Sequence, residues 1–189
     1  MKAKLNKSDL LVVALLVSIG IVFRVVLQDY PNVSPVAALA LLAGYLLNSR
    51  VLALAVPLTV LMVSDLYFGA YAPAVMLSVY TLLALPVIAG SPLRKAHQNG
   101  KSTALTVVTT GATGLGFSVL FFLGTNLAVW ASSSFYARDV AGLLECYTAA
   151  LPFFRQTVIG DMLFVSLLFG SYASCKVWLH AKASQLVSE

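Results

Sequence analysis

Four ionisable side chains lie within strongly apolar runs of this sequence: Arg24, Asp65, Arg155 and Asp161. A charge at the centre of a bilayer costs roughly 2.5–3.5 kcal/mol on insertion scales, so each needs a partner or a purpose. Two are positive and two negative, so they can neutralise one another or bind a polar molecule. Neutral polar groups accompany them, namely Asn32, Ser34, Ser64, Asn126, Gln156 and Thr157. The chemistry this set suits is recognition by ion pairing and hydrogen bonding. Catalysis is not expected, because no Ser-His-Asp or Cys-His arrangement assembles at one depth. Asp65, Asp161 and Cys146 are the acids and nucleophile that an enzyme reading would have to use. An intramembrane carboxylate can also relay protons, which leaves a proton-coupled carrier as a further option.

Each residue also has a plainer reading. Arg24 and Arg155 can snorkel toward the interface on their long stems. Asp65 can pair with an arginine simply to hold helices together. Asp161 lies ~13 Å beyond Pro152 along a helix and is too short to snorkel, so it needs a partner or a water-lined cavity.

The elements that must position these groups follow from composition. The chain has 189 residues, of which 60% are hydrophobic and 10% charged, and its mean hydropathy is +0.91. Soluble domains run roughly 45–50% apolar and about 25% charged. The composition excludes a soluble domain, a disordered tail and a coiled coil, and points to a protein whose first partner is the lipid bilayer. A spanning helix needs ~20 apolar residues. The runs predict spans over 10–27, 34–48, 51–68, 74–90, 104–130 and 153–179, an all-α six-helix transmembrane bundle forming one domain over 1–189. The second run, Val36 to Leu47, covers only ~18 Å as a helix. It must recruit its flanks, lie among other helices or fail to span. Residues 139–151 carry Val140, Leu143, Leu144, Tyr147 and Leu151 on one stripe, which predicts a short amphipathic helix lying in the interface before the last span. Ser132, Ser133 and Ser134 are candidate caps ahead of it, and the helix start after Pro152 is a candidate anion site. The first 27 residues have the basic start and apolar stretch of a signal peptide, but no small-x-small cleavage site follows, so they read as a retained helix.

Charge asymmetry sets the orientation. With the N-terminus inside, the inner segments hold Lys2, Lys4, Lys7, Arg50, Arg94, Lys95, Lys101, Lys176 and Lys182, nine of the twelve basic residues. The outer segments hold Arg138, with Asp29, Asp139 and Glu145. This bias predicts a multi-pass inner-membrane protein with both termini cytoplasmic. It also places Arg24, Asp65, Arg155 and Asp161 in the outer half, where they form a polar pocket with Asn32 and Asn126. Aromatics crowd the same side, from Tyr30, Phe68 and Tyr71 to Trp130, Tyr147 and Phe153. They read as an interfacial belt or as the lining for a flat ligand.

Other motifs fail. Gly100-Lys101-Ser102 resembles the end of a phosphate loop, but Lys95 stands where its first glycine belongs and no strand precedes it. Gly111, Gly114 and Gly116 sit in an apolar helix, where they read as packing positions. His97 and His180 lie in inner polar segments, so neither haem nor another cofactor is indicated, and no metal-ligand spacing occurs. Cys146 and Cys175 fall on opposite sides and should not bridge. Basic residues are not interleaved with exposed aromatics, and nucleic acid is not expected as a partner. Small residues mark docking faces at Ala14 and Ser18 on the first helix, and at Ala40 and Gly44 on the second. Each pair suits contact within the bundle or with a second membrane protein.

The run Pro31-Asn32-Val33-Ser34-Pro35-Val36-Ala37-Ala38-Leu39-Ala40 belongs with Ser64-Asp65, with Thr125-Asn126 and Trp130, and with Cys146-Tyr147. Pro152-Phe153-Phe154-Arg155 and Gly160-Asp161 complete the set. Together they resemble an uncharacterised bacterial inner-membrane family similar to the substrate-binding S components of energy-coupling-factor vitamin transporters. The resemblance covers nearly the whole chain. It implies a ligand held near the outer face by helices and loops, for uptake of a small micronutrient. It implies docking of a transmembrane scaffold through Ala14 and Ser18, and energy from separate ATPase subunits. One branch of that group takes cobalamin through a cysteine ligand. Cys146 is on the matching side but in a different region. The alternative to substrate binding is a structural or assembly-factor membrane protein whose charges staple helices together.

Overall fold

A computed structural model describes residues 6–69, 71–99 and 102–188, apart from the side chains of 186–188. Lys2, Lys4, Gly100 and Lys101, used above for orientation and motif reading, lie outside the described residues. Among the described residues seven helices follow in order: α1 (Lys7–Val26), α2 (Val36–Leu46), α3 (Arg50–Phe68), α4 (Pro73–Ala84), α5 (Pro86–Asn99), α6 (Thr103–Ser132) and α7 (Val140–Ser188). No strand occurs among the described residues. Among the described residues five helical stretches are long and apolar enough to cross a bilayer: Lys7–Val26, Arg50–Phe68, Pro73–Asn99, Thr103–Ser132 and Val140–Gln185. Their outward faces carry large apolar side chains, such as Leu11, Val51, Leu66, Val107 and Leu163, as lipid contact requires.

The short second run resolves by burial. α2 has 11 residues and nine of them are buried, so it is a ~16 Å rod enclosed by the longer helices. It is apolar on every side because it meets protein on every side. Its closest neighbour is α5. A Cβ on Gly44 would collide with the backbone of Val87, and one on Gly90 with the backbone of Gly44. Only glycine at both positions lets these backbones cross so closely. Gly44 is thus used inside the bundle. Ala14 and Ser18, by contrast, are exposed on α1.

Two expected boundaries are corrected. The polar stretch that follows the expected span 74–90 is not a loop over residues 91–99, because α5 runs to Asn99. Val87, Gly90 and Leu93, three residues apart, are buried, and the polar residues between them have tasks. Arg94 donates to the carbonyl of Leu46 and to Asn48 at the end of α2. His97 meets the Tyr45 hydroxyl at 3.3 Å and the Thr110 hydroxyl at 3.2 Å. Residues 139–151 are not a separate interfacial helix. They form the first turns of α7, which is continuous for 49 residues with Pro152 inside it. The cap is Asp139, whose carboxylate accepts from the Gly142 amide at 2.8 Å, and not Ser132, Ser133 or Ser134. A continuous α7 also removes the helix start at Pro152, and with it the anion site expected there.

Of the three glycines read as packing positions, Gly114 lies against Met162 and Val165 of α7, while Gly111 and Gly116 face open space. Cys146 is buried and Cys175 exposed, both free. They are 29 residues apart on one helix, hence roughly 43 Å, far beyond bridging reach.

Candidate functional site

The ends of α1 and α3 and the start of α2 meet at one end of the bundle and enclose a cavity of about 630 Å³. That volume falls within the range of roughly 300–1,000 Å³ typical of small-molecule sites. The chain leaves α1 at Leu27 and turns through Asp29-Tyr30-Pro31-Asn32 before α2 begins. Asn32 adopts φ 61°, a left-handed conformation in which asparagine is one of the few tolerated side chains. Gly69, at φ 92°, ends α3 on the same rim. These two turns form the mouth, lined also by Tyr30 and Tyr71.

Arg24 and Asp65 form the near wall. The Arg24 Nη2 donates to Asp65 Oδ1 at 3.0 Å, with the side chains 17% and 6% exposed. The geometry is single-pronged. Arg24 Nε and Asp65 Oδ2 are buried without hydrogen-bond partners, although the Tyr80 hydroxyl of α4 approaches the same carboxylate. The Arg24 guanidinium also lies 5.7 Å from the centre of the Phe68 ring, a cation–π distance. Tyr71, in the connection between α3 and α4, has its phenol pushed above the usual value by burial and then by the Asp65 charge, with Arg24 partly opposing.

Asp161 lies deeper, on α7. It is 7% exposed, and its Oδ2 accepts from the Ser118 hydroxyl of α6 at 2.6 Å. It lines the main cavity on one side and, on the other, a void of about 10 Å³ between Gly114, Phe117 and Val165. Thr157, Val79, Leu83 and Phe121 complete the inner wall.

Four of the six candidate residues therefore share one cavity: Arg24, Asn32, Asp65 and Asp161. Asn126 and Arg155 do not line it. The Asn126 amide donates to the Phe122 carbonyl of its own helix at 2.7 Å. The Asn126 backbone carbonyl receives the Cys146 thiol at 3.5 Å, so Cys146 too faces α6 and not the cavity. Arg155 is exposed on the flank of α7, because a continuous helix fixes its rotation relative to Asp161. Of the aromatics, Tyr30, Phe68, Tyr71 and Phe121 line the cavity, whereas Trp130 ties its indole N–H to the Ala137 carbonyl at 2.8 Å.

Ser118 was not among the candidates. A signal existed, since Thr110, Gly114, Ser118 and Thr125 recur at helical spacing in an otherwise apolar run, and all four are buried. Tyr80 had no such mark, whereas Phe68 belonged to the aromatic cluster read as a belt or a ligand lining. Among the described residues no group of acidic, histidine or cysteine side chains could hold a metal ion.

A helical bundle with membrane-length apolar segments and an open-ended cavity of mixed polar and apolar lining defines the class: an α-helical membrane protein with a candidate small-molecule site. Residues 4–184 match a family described as a family of unknown function (DUF6580), and the chain belongs to that family. No curated protein and no solved structure matches it.

Proposed function

We propose that this protein is a substrate-binding component for uptake of a small micronutrient or vitamin-like molecule across the bacterial inner membrane, with the cavity opening outward. One observation carries the reading. A ligand-sized cavity is walled by a buried ion pair that leaves a donor, Arg24 Nε, and an acceptor, Asp65 Oδ2, without partners. Buried polar atoms are seldom left unpaired in native proteins, and a ligand seated here would satisfy them. The basic bias places the ends of α1 and α3 outside. Ala14 and Ser18, exposed on α1, suit docking to a transmembrane scaffold of the energy-coupling-factor type, whose ATPase subunits would supply the energy.

The test is native mass spectrometry of the full chain, gently extracted, with Asp65→Ala and Asp161→Ala beside it. The unmodified protein should retain a small molecule, and each variant should insert normally yet hold it more weakly. Losing one buried hydrogen-bonding partner corresponds to about 1–3 kcal/mol. Equal retention by all three proteins would remove the site, and a protein that retains nothing would remove the function.

A second reading rests on the same contact. Arg24–Asp65 joins α1 to α3, so the pair would also serve an assembly factor as a packing staple. In that case the variants lower the unfolding temperature and no small molecule departs.

A further inference from the structure

We infer that the cavity takes a small organic cation, an ammonium or another positively charged nitrogen group carried on an apolar or aromatic frame, with Asp161 as its counter-ion. This rests on the cavity being a binding site and names the class of molecule it selects.

The inference begins with the charges that face the cavity. One basic and three acidic side chains line it: Arg24, and Asp29, Asp65 and Asp161. Arg24 is engaged by Asp65 at 3.0 Å. Asp29 is exposed at the rim, where water screens it. Asp161 remains. It is nine-tenths buried, no basic group among the described residues lies within ion-pair distance of it, and its one side-chain partner is the neutral Ser118 hydroxyl. A buried carboxylate with no counter-charge is disfavoured as the ion, so it either takes up a proton or pairs with a cation that reaches it; the cavity gives such a cation access.

Direction of approach follows from the packing. On its far side Asp161 meets the void between Gly114, Phe117 and Val165, about 10 Å³, room for no more than a single water. On its near side is the 630 Å³ cavity. A partner larger than water therefore arrives through the cavity. Helix ends do not alter the balance, since α1 and α3 bring carbonyl ends to this end of the bundle while α2 and α4 bring amide ends.

The walls agree with the charge. Tyr30, Phe68, Tyr71 and Phe121 face the same space, and aromatic faces attract cations within about 6 Å. Arg24 already shows the effect at Phe68, 5.7 Å away. An anion would meet two buried carboxylates and one guanidinium that is already paired.

The experiment is isothermal titration of the full chain in lipid nanodiscs with four probes of similar shape. Two are cations, 2-phenylethylammonium and benzyltrimethylammonium. One is neutral, 3-phenylpropan-1-ol, and one is an anion, 3-phenylpropionate. Both cations should bind saturably and at least tenfold more tightly than the alcohol or the acid. Benzyltrimethylammonium has no proton to give, so its binding reports charge pairing rather than proton transfer. Asp161→Asn, which keeps the shape and the Ser118 contact, should weaken both cations at least tenfold, while Glu145→Gln, at an exposed acid on α7 that does not line the cavity, should change them less than threefold. The charge preference of the unmodified protein is informative even where a variant fails to fold. Equal or tighter binding of the acid or alcohol overturns the cation assignment, as does an unchanged cation affinity in Asp161→Asn. Should the acid or alcohol alone bind, and be blocked by Val79→Trp in the cavity wall, the substrate-binding reading stands and only its charge class falls. Should none of the four bind, both fall.

Discussion

The Arg24 guanidinium meets the Asp65 carboxylate at 3.0 Å across a sequence separation of 41 residues, and each partner keeps one buried atom unpaired. The contact is a clamp between α1 and α3 that leaves hydrogen-bonding capacity unused. Breaking one side of a buried pair strands the other charge, which typically destabilises by about 3–5 kcal/mol. Asp65→Leu alone should therefore lower the denaturation midpoint more than Arg24→Met combined with Asp65→Leu. Unfolding of the three proteins in one detergent tests this, and a double variant less stable than the single one would contradict it.

The α2–α5 crossing should tolerate no side chain. Gly44→Ala and Gly90→Ala each drive a Cβ into backbone that cannot swing aside, and both should abolish a folded, monodisperse protein. Gly116→Ala meets nothing within 4 Å and should be neutral or stabilise by roughly 0.5–1 kcal/mol, because alanine has less backbone freedom to lose. Size-exclusion profiles and thermal midpoints would separate these outcomes.

Asn32 gives a clean division between backbone and recognition. At φ 61°, Asn32→Gly should preserve stability, whereas Asn32→Val should cost about 1–2 kcal/mol. If Asn32→Gly also keeps any bound small molecule, the residue serves the turn. If it releases the molecule while remaining stable, the amide contributes to recognition.

Ser118 holds the Asp161 carboxylate at 2.6 Å inside the α6–α7 contact. Ser118→Ala removes a charge-assisted hydrogen bond and should destabilise the protein by about 1–3 kcal/mol, to be measured by chemical denaturation. A change below a few tenths of that range would mean the carboxylate finds another donor.

Orientation is open to a direct check. Ser184 is exposed near the end of α7, while Cys146 is buried. A Ser184→Cys protein carrying Cys175→Ser should react with a membrane-impermeant maleimide in inverted vesicles and not in spheroplasts. Labelling in spheroplasts alone would turn the bundle over and point the cavity toward the cytoplasm.

What could be read from the chain alone was everything that depends on composition within a segment. Partition into lipid depends on the summed hydropathy of about twenty neighbouring residues, so the apolar runs declared the helices, while the excess of lysine and arginine between them gives an expected orientation that the labelling experiment tests. The rarity of ions in such runs singled out Arg24, Asp65, Arg155 and Asp161. Tertiary structure decided which of those ions meet. Whether a side chain faces a cavity, a neighbour or lipid depends on helix rotation and crossing, and these are fixed by residues far away, such as Gly44 against Val87. Arg155 shows the difference. Six residues from Asp161 on the same helix, it has a similar claim by sequence, yet the helical turn carries it to the exposed flank. Ser118 shows the converse, an inconspicuous serine made important by the carboxylate that α7 lays against it. The end of α5 and the fusion of 139–151 into α7 were hidden for a related reason: polar residues that resemble a loop or an interface stay helical when folded neighbours supply their hydrogen bonds.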